Sequence, residues 1–171
     1  MNEVKMIPRM VREILDRRDD YKEIANEIYK SNSVFFIGRK VDYAVSMEGS
    51  LKLKEVSYIH SEAYQAGELK HGTISLIDDN IPVFAIITDE LVKDKTISNV
   101  EEVKSRGAKI IVISTEKIDG YDYNVVVPKI NDYFQSILVV PTLQLIAYEV
   151  AKLRGCDIDK PKNLAKSVTV E

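Results

Sequence analysis

The stretch that decides the fold is SMEGSLKLKEVSYIHSEAYQAGELKHG, residues 46–72. Apolar residues in its first half have helical spacing and predict a helix over about residues 43–59. Glu48, Lys52 and Glu55 lie within this helix. At about 100° per residue, Lys52 lies about 40° to one side of Glu48, and Glu55 about 20° to the other. These three residues, here called the charged stripe, therefore share one narrow face.

The opposite side of the predicted helix is rich in small polar residues. Ser46, Ser50, Ser57 and Lys54 gather there, and this composition predicts the solvent side. The charged stripe would then point inward or into a cleft, where two carboxylates around an amine suit proton transfer. The alternative is an ordinary Glu–Lys pair on a solvated face, which would stabilise the helix by about a few tenths of a kcal/mol.

The segments around this helix alternate between strand and helix patterns. Continuous β-branched and aromatic runs predict strands that are buried on both faces of a parallel sheet. Strand patterns occur at 34–38, 81–88, 109–114 and 124–129, and helix patterns at about 7–16, 20–30, 90–106 and 134–152. This order predicts an α/β fold in three layers with a mostly parallel sheet.

A single domain, residues 1–171, is the expected organisation at this length. It would comprise leading helices at about 5–30, an α/β core at about 33–154 and a C-terminal tail at about 155–171. The tail loses periodicity, so its composition alone predicts a flexible end.

Composition and charge exclude several function classes. The chain is 45% hydrophobic and 30% charged, which is typical of a soluble globular protein. A net charge of -3 without a basic patch argues against nucleic acid, and no apolar run approaches the roughly 20 residues that cross a membrane. The single cysteine, Cys156, is expected to be a reduced structural thiol. We therefore expect a cytoplasmic protein with no cofactor and no metal.

Four residues outside the stripe are weaker candidates. His71 lies in a predicted loop between two glycines. It is either an ordinary surface residue or a general acid or base. His60 at the helix end is expected to interact with the helix C-terminus. Gly38, between a strand and a helix, is a weak anion-site signal because no further glycines are in register. Lys166 in the tail is expected to be solvent-exposed on composition alone.

Two stretches, MEGSLKLKEVSYIHSEAYQAGELKHG and the final KNLAKSVTVE, resemble one family in particular. They are similar to the carboxy-terminal sugar-isomerase (SIS) subdomain of the glutamine–fructose-6-phosphate aminotransferases, also called glucosamine-6-phosphate synthases. The resemblance runs in order through essentially the whole chain. It implies a flavodoxin-like α/β sandwich that pairs with a second SIS subdomain. It also implies a transaminase (isomerizing) reaction, from fructose 6-phosphate and glutamine-derived ammonia to glucosamine 6-phosphate.

Roles for the stripe follow from the same resemblance. Glu55 would move the proton between C1 and C2 of the sugar, and Lys52 and Glu48 would assist. These roles implied by the family agree with the proton-transfer chemistry that the residue types suggest.

The resemblance also assigns roles outside the stripe. His71 would act in ring opening at the site of the neighbouring subunit of a homodimer. Lys166 would form a Schiff base with the open-chain ketose, and Ala165 would contact the substrate. The tail would then be ordered on a partner rather than flexible.

The chain departs from the family pattern in several places. Lys40 stands where the family usually has a second glycine, and Thr73 where it usually has proline. The N-terminal cysteine nucleophile for glutamine hydrolysis and the Ser/Thr-rich phosphate loop of the first SIS subdomain are both missing from this sequence. The expectation is a fragment with little or no synthase activity of its own. The alternatives are a non-catalytic SIS module for sugar-phosphate sensing or dimerisation, and a standalone isomerase, which would need a phosphate loop.

Overall fold

The computed structural model describes residues 2–164. Its helices and strands largely follow the predicted pattern, although the first helix begins earlier, so that Pro8 lies within it. The elements in chain order are α1 Asn2–Asp16, α2 Arg18–Ile28, β1 Ser33–Gly38, α3 Val41–Ser57, β2 His60–Gln65, β3 Pro82–Ile87, α4 Lys93–Lys104, β4 Lys109–Ser114, β5 Tyr123–Val126 and α5 Asp132–Leu153. Two short 3-10 helices, Leu69–His71 and Thr73–Leu76, connect β2 to β3.

The five strands form one parallel sheet in the order β2-β1-β3-β4-β5. Side chains of β1 alternate between two core clusters: Val34 and Phe36 pack with α1, α2, α3 and α5, whereas Phe35 and Ile37 pack with α4. Helices therefore cover both faces of the sheet, and the predicted three-layer α/β fold is confirmed. Burial on both faces explains why the central strands consist almost entirely of apolar residues.

Strand β2 is a departure from the sequence prediction, which ended a helix at about residue 59 and assigned no strand to residues 60–65. Its sequence, HSEAYQ, is polar because β2 is an edge strand that pairs only with β1 among the described residues. The prediction for His60 is therefore wrong. His60 begins β2, where its Nδ1 lies 3.3 Å from Ser33 Oγ and its Nε2 lies 3.7 Å from Glu62 Oε1.

The orientation of α3 also differs from the prediction. Ser46, Ser50 and Ser57 are buried, whereas Lys54 on the same predicted side is exposed. The expected solvent side is thus wrong for the serines. Small side chains let α3 approach the sheet and α5 closely, and a Cβ atom built at Gly49 would lie 2.8 Å from Leu143 Cδ1.

Each buried serine hydroxyl on α3 has a hydrogen-bond partner. The hydroxyls of Ser46 and Ser57 donate to backbone carbonyls one turn earlier, over 2.8 and 2.6 Å. The hydroxyl of Ser50 donates to Ser61 Oγ on β2 over 3.2 Å, and Ser61 Oγ donates to the carbonyl of Ser50 over 2.8 Å. A buried hydroxyl is tolerated when it is hydrogen-bonded, and hydropathy alone does not reveal this.

Helix α5 is long and apolar enough to cross a membrane by length and composition alone. In this fold it packs against α1, α2 and α3, and one side of it contributes Leu138, Val139 and Leu143 to the core. Its buried Glu149 is paired with Arg18 of α2, with 2.5 Å between Oε1 and Nε. This packing is typical of the central helix of a folded domain.

Candidate functional site

The charged stripe lies on a half-exposed shoulder of α3. The side chains of Glu48, Lys52 and Glu55 are 37%, 30% and 22% exposed, respectively. Lys52 Nζ lies 2.6 Å from Glu55 Oε2 and 3.8 Å from Glu48 Oε1. The three groups thus form one ion-paired cluster in which Glu55 has the closer contact and the least exposed side chain.

The hydrogen bond that Lys52 donates to Glu55 raises the pKa of the Lys52 ammonium above its usual value. Lys52 is therefore a cation at neutral pH, and its ammonium holds the carboxylate that it touches in place. A carboxylate held by a neighbouring ammonium can accept a proton from a substrate carbon and return it to the adjacent carbon. The arrangement is chemically suited to acid/base catalysis, and its partial exposure leaves Glu55 accessible to a substrate.

His71 is remote from the stripe in the layering of the fold. It is exposed at the end of the first 3-10 helix, whose Leu69 packs in the core cluster on the α4 face of the sheet. Residues of α3 such as Val45 and Leu53 pack in the cluster on the other face. The structure therefore places His71 and the stripe on elements that pack against opposite faces.

The remaining predicted site residues, Lys166 and Ala165, lie outside the described residues. Cys156 lies just before them and is half-buried, with its thiol 3.8 Å from the carbonyl oxygen of Ser57. Within residues 2–164, no cluster of three or more His, Cys, Asp or Glu side chains could hold a metal ion.

Asp42 is a structural residue that the sequence analysis missed. It is buried in the first turn of α3 and accepts hydrogen bonds from Thr88 N at 2.8 Å, Thr88 Oγ1 at 2.5 Å and Asp89 N at 3.1 Å. Burial raises the pKa of the Asp42 carboxyl, against the opposing effect of the hydrogen bonds from Thr88. An Asp in a first helical turn is common, so its sequence context gives no signal of this contact.

Asp42 lies at the carboxyl edge of the sheet, between the parallel strands β1 and β3. After β1 the chain continues to β2 on one side of the sheet, and after β3 it continues to β4 on the other side. This is the switch point at which open α/β folds commonly bind ligands. A crevice of about 250 Å³ occurs here, and the described residues that line it include Asp42, Asp89 and Asp132 but no lysine or arginine. An anion site usually has a cationic side chain, so the weak anion-site signal at Gly38 gains no support from this crevice.

Gly38 instead allows a close approach between strand and helix. A Cβ atom there would lie 2.5 Å from the carbonyl carbon of Asp42. Two residues later, Lys40 has a φ of 51°, a left-handed conformation that favours glycine. The lysine at this position is ion-paired with Asp89, with 3.3 Å between Nζ and Oδ2. The departure from the family glycine thus adds a contact at the cost of backbone strain.

Comparison with known proteins gives the family. Residues 27–153 match the family model described as SIS domain. The chain belongs to the SIS domain family. This SIS domain is 48% identical over 169 residues to a glutamine–fructose-6-phosphate aminotransferase [isomerizing] of Clostridium acetobutylicum, a match that covers 96% of the chain and 28% of that relative. It is also 50% identical over 159 residues to the enzyme of the same name from Bacillus subtilis, covering 92% of the chain and 26% of that relative.

A solved structure supports the same relationship. The SIS domain superimposes on the C-terminal domain of glucosamine-fructose-6-phosphate aminotransferase from Francisella tularensis with a TM-score of 0.88 and 35% identity. The match covers 93% of this chain and 46% of that domain structure. The resemblance inferred from the sequence is confirmed. The chain spans little more than a quarter of the length of the curated relatives that it matches.

Proposed function

We propose that this SIS domain is the isomerase part of a longer enzyme that converts fructose 6-phosphate and glutamine-derived ammonia to glucosamine 6-phosphate and glutamate. The observation that favours this function most is the ion-paired stripe, in which Lys52 Nζ lies 2.6 Å from Glu55 Oε2 on a surface still open to a substrate. Relatives at 48–50% identity bear the name of that enzyme.

Within this proposal, Glu55 transfers the proton between C1 and C2 of the open-chain sugar. Lys52 remains protonated and orients Glu55 through the hydrogen bond that it donates to Oε2, so that the carboxylate can act first as a base. Glu48, at 3.8 Å from the ammonium, balances its charge and has a smaller role. Shuttling one proton between adjacent carbons requires no metal or redox group.

Lys166 supplies the amine that forms a Schiff base with the ketose, and Ala165 beside it contacts the sugar. An amine must be neutral to attack a carbonyl, and a covered site would favour that form. His71 assists ring opening in the site of a neighbouring subunit of a homodimer. The placement of His71 and the stripe on opposite faces of the sheet supports a role for His71 outside its own chain's stripe.

The phosphate of the sugar is bound by the first SIS subdomain, outside this chain. The crevice at the switch point supports this part of the proposal, because no lysine or arginine of residues 2–164 lines it to bind a phosphate. The isolated chain would accordingly have little or no synthase activity.

The test is to assay glucosamine 6-phosphate formation with the complete enzyme and with this chain alone. The complete enzyme should form product, and borohydride reduction with fructose 6-phosphate should label Lys166. The variant Lys166→Arg should show no labelling. Product formation by the complete enzyme with Lys166 absent from the labelled peptides would contradict the assigned amine. Absence of product from the complete enzyme would instead favour a non-catalytic sugar-phosphate or dimerisation module.

A further inference from the structure

The first part of the C-terminal tail, residues 155–164, begins with a defined turn. Gly155 has a φ of 67°, and its N–H donates to the carbonyl of Lys152 over 3.0 Å. The N–H of Cys156 donates to the carbonyl of Ala151 over 2.9 Å. These two bonds form a Schellman motif, which ends α5 and redirects the chain.

The redirected chain contacts the end of α3. The thiol of Cys156 lies 3.8 Å from the carbonyl oxygen of Ser57, the last residue of α3. Asp157 then stabilises a second turn, in which its Oδ1 accepts from the N–H of Lys160 over 2.9 Å. The tail is therefore held by this chain's own residues as far as the described structure extends.

Tyr58 makes the last of these contacts in two ways. The N–H of Lys162 donates to the hydroxyl of Tyr58 over 2.7 Å, and Lys162 Nζ lies 5.7 Å from the centre of the Tyr58 ring. Tyr58 directly follows α3 and has a φ of 61°, with its own N–H bonded to the carbonyl of Lys54. A hydroxyl and a ring on one fixed residue thus bind one position of the tail.

We propose that Tyr58 is a positioning residue that holds the tail at the end of α3 where Glu55 lies. Tyr58 follows Glu55 by three residues and directly follows the last residue of the helix that carries Glu55. Lys166 follows Lys162 by four residues, which span at most about 14 Å. Holding Lys162 therefore limits how far the amine of Lys166 can move from the acid/base residue. This role rests on the proposed function of Lys166.

Tyr29, close to Tyr58 in the fold, provides a matched control. Tyr29 and Tyr58 both line a cavity of about 700 Å³ at this end of the fold, and each has a lysine ammonium over its ring. Lys30 Nζ lies 5.2 Å from the Tyr29 ring, but Lys30 is next to Tyr29 in sequence and is not part of the tail. Removal of the Tyr29 hydroxyl should therefore leave the tail contact intact.

The experiment measures borohydride trapping of Lys166 in the complete enzyme with fructose 6-phosphate. In Tyr58→Phe, the trapping rate at saturating sugar should fall about fivefold, the effect of one lost neutral hydrogen bond. The sugar concentration for half-maximal trapping should stay unchanged, because Tyr58 is assigned no contact with the sugar. In Tyr58→Leu, which also removes the aromatic ring, the fall should reach about fifteenfold. Tyr29→Phe should match the unsubstituted enzyme.

A second measurement separates this inference from the proposed function. Hydrogen exchange of the Lys162 amide in this chain should be about fivefold faster in Tyr58→Phe than in the unsubstituted protein and in Tyr29→Phe. Faster exchange with an unchanged trapping rate would overturn the positioning role while the assigned amine stands. Unchanged exchange would overturn the contact itself. No labelling of Lys166 in the unsubstituted enzyme would overturn the proposed function and the positioning role together, whereas the exchange result would still report the tail contact.

Discussion

Two faces of α3 differ in a way that reverses the expectation from composition. The face with Ser46, Ser50 and Ser57 is buried against the sheet and the neighbouring helix, whereas the charged stripe remains 22–37% exposed. The hydroxyls of Ser46 and Ser57 donate hydrogen bonds to backbone carbonyls, and the hydroxyl of Ser50 donates to Ser61 Oγ. The stripe pairs its charges within itself and still faces outward.

Small polar residues can therefore form a packing face of a helix, while charged residues on the same helix can form a candidate catalytic site. A serine is small enough for close helix packing, and one hydrogen bond removes most of the cost of burying its hydroxyl. Three charged groups need water or an oppositely charged partner, so they lie at the surface of the domain. The two faces should therefore respond differently to substitution, one through activity and the other through stability.

The largest expected effect is on the exposed face. In the complete enzyme, Glu55→Gln should lower the rate of glucosamine 6-phosphate formation by about 10³-fold, because an amide cannot accept the sugar proton. Glu48→Gln is the control on the same stripe, and it should cost about tenfold or less, since Glu48 lies farther from Lys52. Steady-state assays of both variants measure the difference. Full activity in Glu55→Gln would remove the assigned role.

The second effect is on stability, at the start of the buried face. Asp42→Ala should lower the free energy of unfolding by about 3 kcal/mol, because the N–H groups of Thr88 and Asp89 and the Thr88 hydroxyl lose their acceptor. Asp42→Asn keeps an acceptor and should cost about 1 kcal/mol. Urea unfolding of this chain measures both values, and equal losses would show that the hydrogen bonds contribute little.

The raised pKa of Asp42 predicts that the stability difference between the unsubstituted protein and Asp42→Asn depends on pH. Because burial raises this pKa in the folded state, stability from Asp42 is greatest at pH values below the ordinary pKa of 3.8 and is lost as the pH rises through the folded-state pKa. Asp42→Asn has no such group, so the unsubstituted protein should lose stability relative to Asp42→Asn as the pH rises from 3.8. A difference that does not change with pH would contradict the raised pKa.

A smaller effect tests the close packing of the buried face. In Gly49→Val, the new Cβ would lie 2.8 Å from Leu143 Cδ1 and 3.1 Å from Phe36 Cε1, and the overpacking should cost about 2 kcal/mol. Ala44→Val introduces the same side chain at an exposed position of α3 and should cost less than about 1 kcal/mol. Thermal or urea unfolding compares them, and equal costs would mean that helix propensity alone explains the loss.

The smallest expected effect concerns the stability provided by the stripe. Lys52→Met should lower the free energy of unfolding by about 0.5 kcal/mol at neutral pH, since the ion pairs are half-exposed. The folded-state pKa of Lys52 is raised, so this contribution is present at pH values below 10.5 and is lost as the pH rises through the folded-state value. Urea unfolding of both proteins at pH 8 and at high alkaline pH measures the change. A constant difference would contradict the ion-pair origin.

Much of the fold could be predicted because buried strands and helices have recognisable patterns of apolar residues. The apolar runs of β1, β3 and β4 identify central strands, and helical periodicity identifies α2 and α5. Strand β2 could not be found in this way because an edge strand needs no apolar run. Its pairing depends on a neighbour that is distant in sequence.

The candidate site could be predicted in part. Helical spacing alone brings Glu48, Lys52 and Glu55 together, and the 2.6 Å contact of Lys52 with Glu55 agrees with it. Spacing within one helix could not show which side is buried, because that depends on what packs against α3. For the same reason no sequence pattern indicated the role of Asp42, whose partners lie 46 and 47 residues away.

Under the proposed function, the stripe is half of a site that residues outside this chain complete. The most direct test is calorimetry of fructose 6-phosphate with this chain and with the complete enzyme under the same conditions. We predict binding by the complete enzyme and no detectable heat for this chain at millimolar sugar, because no lysine or arginine in the described part of the chain lines its switch-point crevice. Micromolar binding by this chain alone would contradict the claim, since it would require a phosphate site within these residues.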